Sequence, residues 1–190
     1  MDEKSVTAPG TSTEDVDNFV SSLLALRSPH VSPQAGGSGR LIGIDAGTKT
    51  LGLALSDVTR TIASPMETII RRKFSEDVVR LFQLTDEHKV LGLVLGYPRN
   101  LDGSEGPRAQ ATRALARNLN KLSSLPILLW DERLTTAIAE RMLIDADQSR
   151  KRRAEVIDKL AATVILQSAL DRLRLIVSPI APPIARPIAP

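Results

Sequence analysis

Three acidic residues that lie far apart in the chain occupy positions from which their carboxylates could meet. Asp45 ends the first predicted strand between Gly43 and Gly47, which have no side chains to fill the space around it. Glu132 follows a buried apolar strand, and Asp158 borders the apolar face of the last predicted helix, where an unpaired acid is unusual. Taken singly, Asp45 is equally typical of a turn and Asp158 of a helix start. Function is therefore indicated by the three together.

The chemistry expected of these acids is metal-dependent. Carboxylates that converge on one sheet edge repel one another unless cations lie between them. Oxygen ligands without His or Cys favour Mg²⁺ or Mn²⁺, and such clusters commonly hold two ions for in-line displacement at a phosphodiester. We therefore predict that Asp45, Glu132 and Asp158 are catalytic and metal-ligating. Asp131 stays a further candidate ligand, because neighbours on a strand point to opposite sides and a short strand does not fix which one faces the metal.

Basic residues near these acids are candidates for binding phosphate groups. They lie on the turn after the first strand, on the loop after the fourth strand, beside Glu132 and before the last helix. The nucleic-acid-binding candidates are Lys49, Arg99, Arg133, Arg150, Lys151, Arg152 and Arg153. Each of them alone is more often a solvated surface residue, but together they could hold a nucleic-acid backbone.

Composition narrows the class of protein. The chain has 190 residues, a formal charge of +3 from 25 Lys and Arg against 22 Asp and Glu, and only 3% aromatic residues. The low aromatic content argues against nucleic-acid binding through base stacking, whereas the mildly basic charge is compatible with phosphate binding. The absence of cysteine excludes disulfides, thiolate catalysis and Cys-ligated zinc. Because no apolar run of roughly eighteen residues and no secretory signal occurs, we expect a cytoplasmic protein with no membrane partner.

The chain divides into three predicted parts. Residues 1–39 are predicted to form a flexible N-terminal extension, in which a short helix through about Leu26 is nascent rather than docked. Residues 40–176 are expected to form one folded domain. Residues 177–190 contain five prolines and are predicted to be a Pro-rich, disordered C-terminal tail.

Periodicity and turn signals in the folded domain predict an α/β protein. A hairpin over 40–57 and a strand over 62–70, with Pro65 indicating an edge or a bulge, are followed by alternating helices and strands. The later elements are predicted as helix 75–88, strand 90–95, helix 107–122, strand 126–130, a helix after Thr135 and Thr136, and helix 154–175. The expected fold is a mixed five-stranded sheet, with three antiparallel meander strands plus two parallel strands and helices on both faces. If the first, fourth and fifth strands are neighbours, their ends share one edge of the sheet.

Four segments of this domain resemble the signature blocks of a known family. The segments are GIDAGTKTLGLALSD, LGLVLGYPRNLDGSEG, LLWDERLTT and IDKLAATVILQSALD, and they span about residues 40 to 175. They are similar to those of the YqgF (RuvX-like) family, whose members were described as Holliday-junction resolvases and are now regarded as pre-16S rRNA processing nucleases. The resemblance implies an RNase H-like fold and places the family's acidic residues at Asp45, at Glu132 with Asp131 beside it, and at Asp158.

The resemblance also implies a function, namely processing of the 5′ end of pre-16S rRNA in ribosome biogenesis with Mg²⁺ or Mn²⁺ as cofactor. The partners would be RNA, as pre-16S rRNA or in pre-ribosomal particles, with branched DNA as the alternative substrate, and the chain would be a monomer or a weak homodimer. One departure is visible, since the first block usually continues Lys-Arg and this chain has Lys49-Thr50. One cation near the site is thereby lost, while the candidate ligands are kept.

Two other interpretations remain open from the sequence. A catalytically silent RNA-binding module of ribosome assembly would need no metal site, and the three retained acids argue against it. An actin-like or sugar-kinase ATPase would need a second phosphate-binding hairpin, and no second GIDAGT-like segment occurs in the sequence.

Overall fold

The structure is a computed structural model that describes residues 13–25, 39–134 and 150–177. Within these ranges, side-chain surroundings are described for residues 14–21, 39–133 and 159–175. In chain order the elements are helix α1 (Thr13–Ala25), strands β1 (Arg40–Ala46), β2 (Thr50–Ser56) and β3 (Ala63–Ile70), helix α2 (Phe74–Glu87), strand β4 (Val90–Tyr97), helix α3 (Pro107–Leu122), strand β5 (Ile127–Asp131), a single 3-10 turn (Glu132–Leu134) and helix α4 (Arg150–Val177).

The five strands form one sheet in the order β3-β2-β1-β4-β5. The β1–β2 and β2–β3 pairs are antiparallel, whereas β1–β4 and β4–β5 are parallel. The strand β3 lies at an edge, and its register with β2 shifts between Gly52 and Ala54, next to Pro65. Proline donates no ladder hydrogen bond, so it is tolerated at such an edge. The predicted mixed sheet, with its edge strand and irregularity at Pro65, is therefore confirmed.

Side chains alternate between the two faces of the sheet, and each face has its own apolar core. Leu41 and Val94 pack with Leu166 and Leu170 of α4 on one face. On the other face, strand residues pack with α2 and α3; this second core includes Ile42, Ile44, Leu93, Leu95, Leu81 and Leu119. Because successive strand residues point to opposite sides, Asp45, which follows Ile44, lies on the face covered by α4.

Helix α1 packs against the α4 side of this core. Val16 is 1% exposed and Phe19 is 4% exposed, and both belong to the same apolar cluster as Trp130 and Leu173. The expectation of a nascent, undocked helix is therefore wrong for these residues. Apolar residues at spacings of three and four give the helix one face to bury, and β5 and α4 supply the partner surface.

One helix boundary differs from the predicted one, and two predictions lie outside the described residues. Helix α4 begins at Arg150, so the basic run that ends at Arg153 belongs to its first turn rather than to a preceding link. The helix expected after Thr135 and Thr136 and the tail over 178–190 lie outside the described ranges. Among the helices that are described, none is long and apolar enough to cross a membrane.

Candidate active site

Asp45 lies at the end of β1, opposite Gly52 of β2, and is half-buried. The turn that follows it is fixed by hydrogen bonds. The Gly47 N–H donates to the Asp45 carbonyl at 3.2 Å, the Arg71 N–H donates to the Lys49 carbonyl at 2.9 Å, and Arg71 Nη1 donates to the Gly47 carbonyl at 2.7 Å. The turn next to Asp45 is thus held by Arg71, the residue directly after β3.

Glu132 approaches Asp45 from the other side of β4. A Cβ atom on Gly96 would lie 2.7 Å from Oε1 of Glu132, so the carboxylate lies directly over this glycine. The pairing of Ile44 with Leu95 places Asp45 level with Gly96 on the adjacent strand. The two carboxylates therefore meet on the α4 face of the sheet, across a position that has no side chain.

Burial and neighbouring negative charge together raise the pKa of Glu132 to about 7. Burial is the largest cause, and the negative charge of Asp45 is the second. Asp131 adds to the shift, whereas the positive charge of Arg108 opposes it. A carboxyl group in this setting keeps its proton near neutral pH unless a cation compensates the pair.

The side chains of Asp131 and Glu132 point to opposite faces of the sheet, because side-chain direction alternates along β5. Trp130 is buried on the α1 and α4 face, so Asp131 points to the opposite side and Glu132 returns to the side of Asp45. Asp131 is 4% exposed and pairs with Tyr97 in the ladder. Of the two neighbours, Glu132 is therefore the one on the side of Asp45.

Two arginines hold the Asp131 carboxylate. Arg133 Nη2 donates to Oδ2 at 2.6 Å and Arg133 Nε to Oδ1 at 3.0 Å, while Arg99 Nη1 lies 3.9 Å from Oδ2. Burial acts to raise the pKa of Asp131, but the Arg133 hydrogen bonds and the charge of Arg99 outweigh it and lower the pKa. The same arginines also bind the loop after β4, since Arg99 donates to the Gly103 carbonyl and Arg133 Nη1 to the Leu101 carbonyl at 3.4 Å.

Helix α4 passes closely over β1 and β4 because both strands carry glycine beneath it. A Cβ on Gly43 would lie 2.9 Å from the Ala162 carbonyl oxygen and 2.6 Å from Leu166 Cβ. Later in the helix, Gln167 Oε1 accepts a hydrogen bond from the Ala63 N–H at 2.9 Å, at the end of the sheet where β1 begins. The helix therefore runs antiparallel to β1, with its earlier residues toward the end that carries Asp45.

The structure brings some of the predicted site residues together, and the side chains of others lie outside those described. Asp45 and Glu132 are brought together, Arg99 and Arg133 lie beside Asp131, and Lys49 is exposed on the turn after β1. Residue 158 belongs to α4, in the turn before Ala162, but the side chains of Asp158 and of Arg150, Lys151, Arg152 and Arg153 lie outside those described. Among the described side chains, no group of three acids lies close enough to hold a metal ion.

One cation at the site was not predicted from the sequence. Arg108, in the first turn of α3, is close enough to Glu132 for its positive charge to oppose the rise in the pKa of that residue. Its chain position gives one signal, since the helix begins at Pro107 directly after the polar loop that follows β4. Only the fold shows that this helix start lies near the end of β5.

Comparison with known proteins assigns the family. The family model described as "RuvX: Holliday junction resolvase" matches residues 39–172, a span that includes Asp45, Glu132 and Asp158. The chain belongs to the RuvX family. The resemblance to YqgF (RuvX-like) proteins that the four sequence segments indicated is thereby confirmed.

Curated relatives of this RuvX chain carry a nuclease name. A protein of Cereibacter sphaeroides is 63% identical over 72% of this chain and 85% of its own length, and one of Roseobacter denitrificans is 53% identical over 86% and 94%. Both are named "Putative pre-16S rRNA nuclease". Among solved structures, "T. thermophilus RuvC in complex with Holliday junction substrate" is 13% identical over 72% of this chain and 97% of that one, with a TM-score of 0.48. A likeness this distant assigns neither activity nor substrate.

Proposed function

We propose that this RuvX-family chain is a metal-dependent nuclease that processes the 5′ end of pre-16S rRNA. It is a hydrolase that acts on ester bonds, in line with its family and with the names of its relatives. The observation that carries the proposal is the meeting of Asp45 and Glu132 across Gly96, with the pKa of Glu132 raised to about 7. Two carboxylates in mutual repulsion at the end of parallel strands are suited to a divalent cation.

The residues present fit Mg²⁺ or Mn²⁺. The two described carboxylates offer oxygen atoms only, as these hard cations prefer, and Asp158 is the proposed third ligand. The direction of α4 supports it, because residue 158 precedes Ala162 and so lies toward the Asp45 end of β1. When bound, such ions supply the Lewis acidity that activates an attacking water and stabilises the leaving oxygen of a phosphodiester.

The protein's own basic groups position the substrate. Arg99 and Arg133, both anchored on Asp131, are proposed to bind phosphates at the ends of β4 and β5. Lys49 is proposed to do so on the opposite side, together with the basic residues 150–153 at the start of α4. This role for Asp131 replaces the ligand role considered from the sequence, since its oxygens already accept hydrogen bonds from Arg133.

The substrate is proposed to be RNA, recognised through charge and shape. The chain has only 3% aromatic residues, so base stacking contributes little. The description of the matched family favours one second candidate, cleavage of branched DNA at a Holliday junction. A location in the cytoplasm and a monomer or weak homodimer remain part of the proposal.

A cleavage assay separates these functions. Labelled precursor 16S rRNA and a four-way DNA junction are incubated with Mg²⁺, Mn²⁺ or EDTA and with the wild type, Asp45→Asn, Glu132→Gln or Asp158→Asn. Asp86→Asn serves as the matched control, because this exposed acid lies on α2, away from the site. We expect cleavage of the rRNA by the wild type and the control only, and none in EDTA.

The outcomes are distinct. Cleavage by Asp45→Asn at the wild-type rate would reject the assigned role of Asp45, and exclusive cleavage of the junction would favour the DNA resolvase. RNA binding without cleavage in any metal would identify a silent assembly module.

A further inference from the structure

Four basic residues lie together next to the turn that follows Asp45. We call them the turn patch, which consists of Lys49 on the β1–β2 turn and Arg71, Arg72 and Lys73 between β3 and α2. All four are exposed. The patch is attached to the active-site turn, because the Arg71 N–H donates to the Lys49 carbonyl at 2.9 Å and Arg71 Nη1 donates to the Gly47 carbonyl at 2.7 Å.

Two residues of the patch are neighbours through the backbone. The antiparallel pairing of Thr50 with Ile70 continues outward, so Lys49 stands opposite Arg71. The end of β3 and the turn before β2 therefore carry their positive charges close together.

Ion pairs with acidic residues neutralise the charge of several other arginines, whereas within the described residues the turn patch has no such pairs. Within the described part of the chain, ion pairs join Arg80 to Glu67, Arg113 to Glu105 and Arg133 to Asp131. In the same ranges no ion pair involves the four patch residues. Asp77, the acid in contact with this segment, accepts a hydrogen bond from the backbone N–H of Arg72 at 3.0 Å and not from its guanidinium. The patch thus keeps its positive charge available at the surface.

The patch and the arginines at Asp131 lie on opposite sides of the carboxylate pair. Arg99 and Arg133 follow β4 and β5, whereas the turn patch lies beyond the ends of β2 and β3, with Asp45 on the strand between. A strand of alternating phosphates that crosses this edge of the sheet would contact cations before and after the carboxylates.

We infer that the turn patch binds backbone phosphates of the RNA substrate on the β2–β3 side of the active site. The inference rests on the proposed function for its choice of RNA. The contact is electrostatic and independent of base identity, because these residues offer charge and hydrogen-bond donors to phosphate oxygens. Arg71 has a second role, since its bonds to the turn carbonyls hold the backbone next to Asp45.

The test is RNA binding measured in EDTA, so that no hydrolysis intervenes. The variant Lys49→Gln/Arg72→Gln/Lys73→Gln removes three charges and leaves Arg71 to support the turn. The matched control Lys121→Gln/Arg172→Gln/Arg174→Gln removes three exposed charges from the later parts of α3 and α4. Affinity for a labelled single-stranded RNA is measured over a range of salt concentrations, and thermal unfolding verifies that both variants are folded.

We expect the patch variant to bind more weakly and the control to bind as the wild type does. The slope of log affinity against log salt should become shallower by about 2 in the patch variant, at about 0.7 per lost phosphate contact. An unchanged slope, or an equal loss in the control, would overturn the inference. Failure of the nuclease proposal is separate, since it would appear as binding of RNA that no metal converts into cleavage.

Discussion

The carboxylates of Glu132 and Asp45 meet across Gly96, and both can ionise there only at an electrostatic cost. Burial and the Asp45 charge raise the pKa of Glu132 from 4.5 to about 7. A carboxyl group whose folded pKa is raised contributes stability that is complete below its unfolded pKa and is lost as pH rises through the folded one. The metal-free protein should therefore lose stability between about pH 4.5 and pH 7, and a divalent cation should restore it.

Glu132→Gln should remove this pH dependence. We expect the metal-free variant to melt at a higher temperature than the wild type at about pH 8, where Glu132 is ionised, and at a similar temperature at about pH 5. Thermal unfolding in EDTA measures both. Asp86→Asn is the control, and an equal difference between wild type and Glu132→Gln at the two pH values would contradict the assigned cause.

Asp131→Asn should weaken RNA binding while it leaves cation binding in place. The substitution keeps the shape of the side chain but removes the charge that holds Arg99 and Arg133. Loss of these charge-assisted hydrogen bonds should lower stability by about 2 kcal/mol. The discriminating measurement is the rise in melting temperature on adding Mg²⁺. It should persist in Asp131→Asn and disappear in Asp45→Asn, and its loss in Asp131→Asn would restore Asp131 as a ligand.

At the scale of elements, glycines in β1 and β4 determine how closely α4 can pack on the sheet. Two glycines, Gly43 and Gly96, admit the helix so closely that added Cβ atoms would meet Ala162, Ile165 and Leu166. The same approach brings the beginning of α4 toward Asp45. Helix position and site geometry are therefore coupled through the glycine content of β1 and β4.

Gly43→Ala should move α4 away from β1. The new methyl group would lie 2.9 Å from the Ala162 carbonyl oxygen, a backbone atom that can move only with the helix. We expect a loss of roughly 1–3 kcal/mol in the free energy of unfolding, as for overpacked cores, and a decrease in cleavage at temperatures where the variant is folded. Gly106→Ala is the control, because its Cβ would meet only Asn100, at 3.4 Å or more. Equal stability of the two variants would refute the close packing.

Phe19→Ala should destabilise the whole domain rather than α1 alone. The side chain is 4% exposed and lies in the same cluster as Trp130 and Leu173. Truncation of a buried phenylalanine costs about 3 kcal/mol through lost burial and the cavity left behind. Chemical denaturation measures the change, with Asp17→Ala on the exposed side of the same helix as the control. If Phe19→Ala were as stable as the control, α1 would not be docked on the domain.

At the scale of the whole molecule, the sheet could be predicted because its signals are local. The hairpin around Gly47, the edge proline Pro65 and the apolar strands β4 and β5 each follow from spacing and turn chemistry. The pairing of β1 with β4, which brings Asp45 level with Gly96, is not local, because the β2–β3 hairpin and α2 separate the two strands in the chain.

The remaining features depend on contacts between distant segments. The docking of α1 could not be predicted, because an amphipathic helix of 13 residues shows that it has an apolar face but not which surface covers it. The proximity of Arg108 to Glu132 depends on how α3 starts relative to the end of β5. The choice between Asp131 and Glu132 required the orientation of Trp130, which only the packed core fixes.

The indole of Trp130 has a practical consequence. It is the one tryptophan of the sequence, it is 2% exposed, and within the described residues its Nε1 has no hydrogen-bond partner. An indole shielded from water in this way emits at shorter wavelength than a solvated one. Emission excited selectively from tryptophan, without Tyr97, therefore comes from a single indole two positions from Glu132. A red shift of that emission would report solvent entry beneath α1 without any added label.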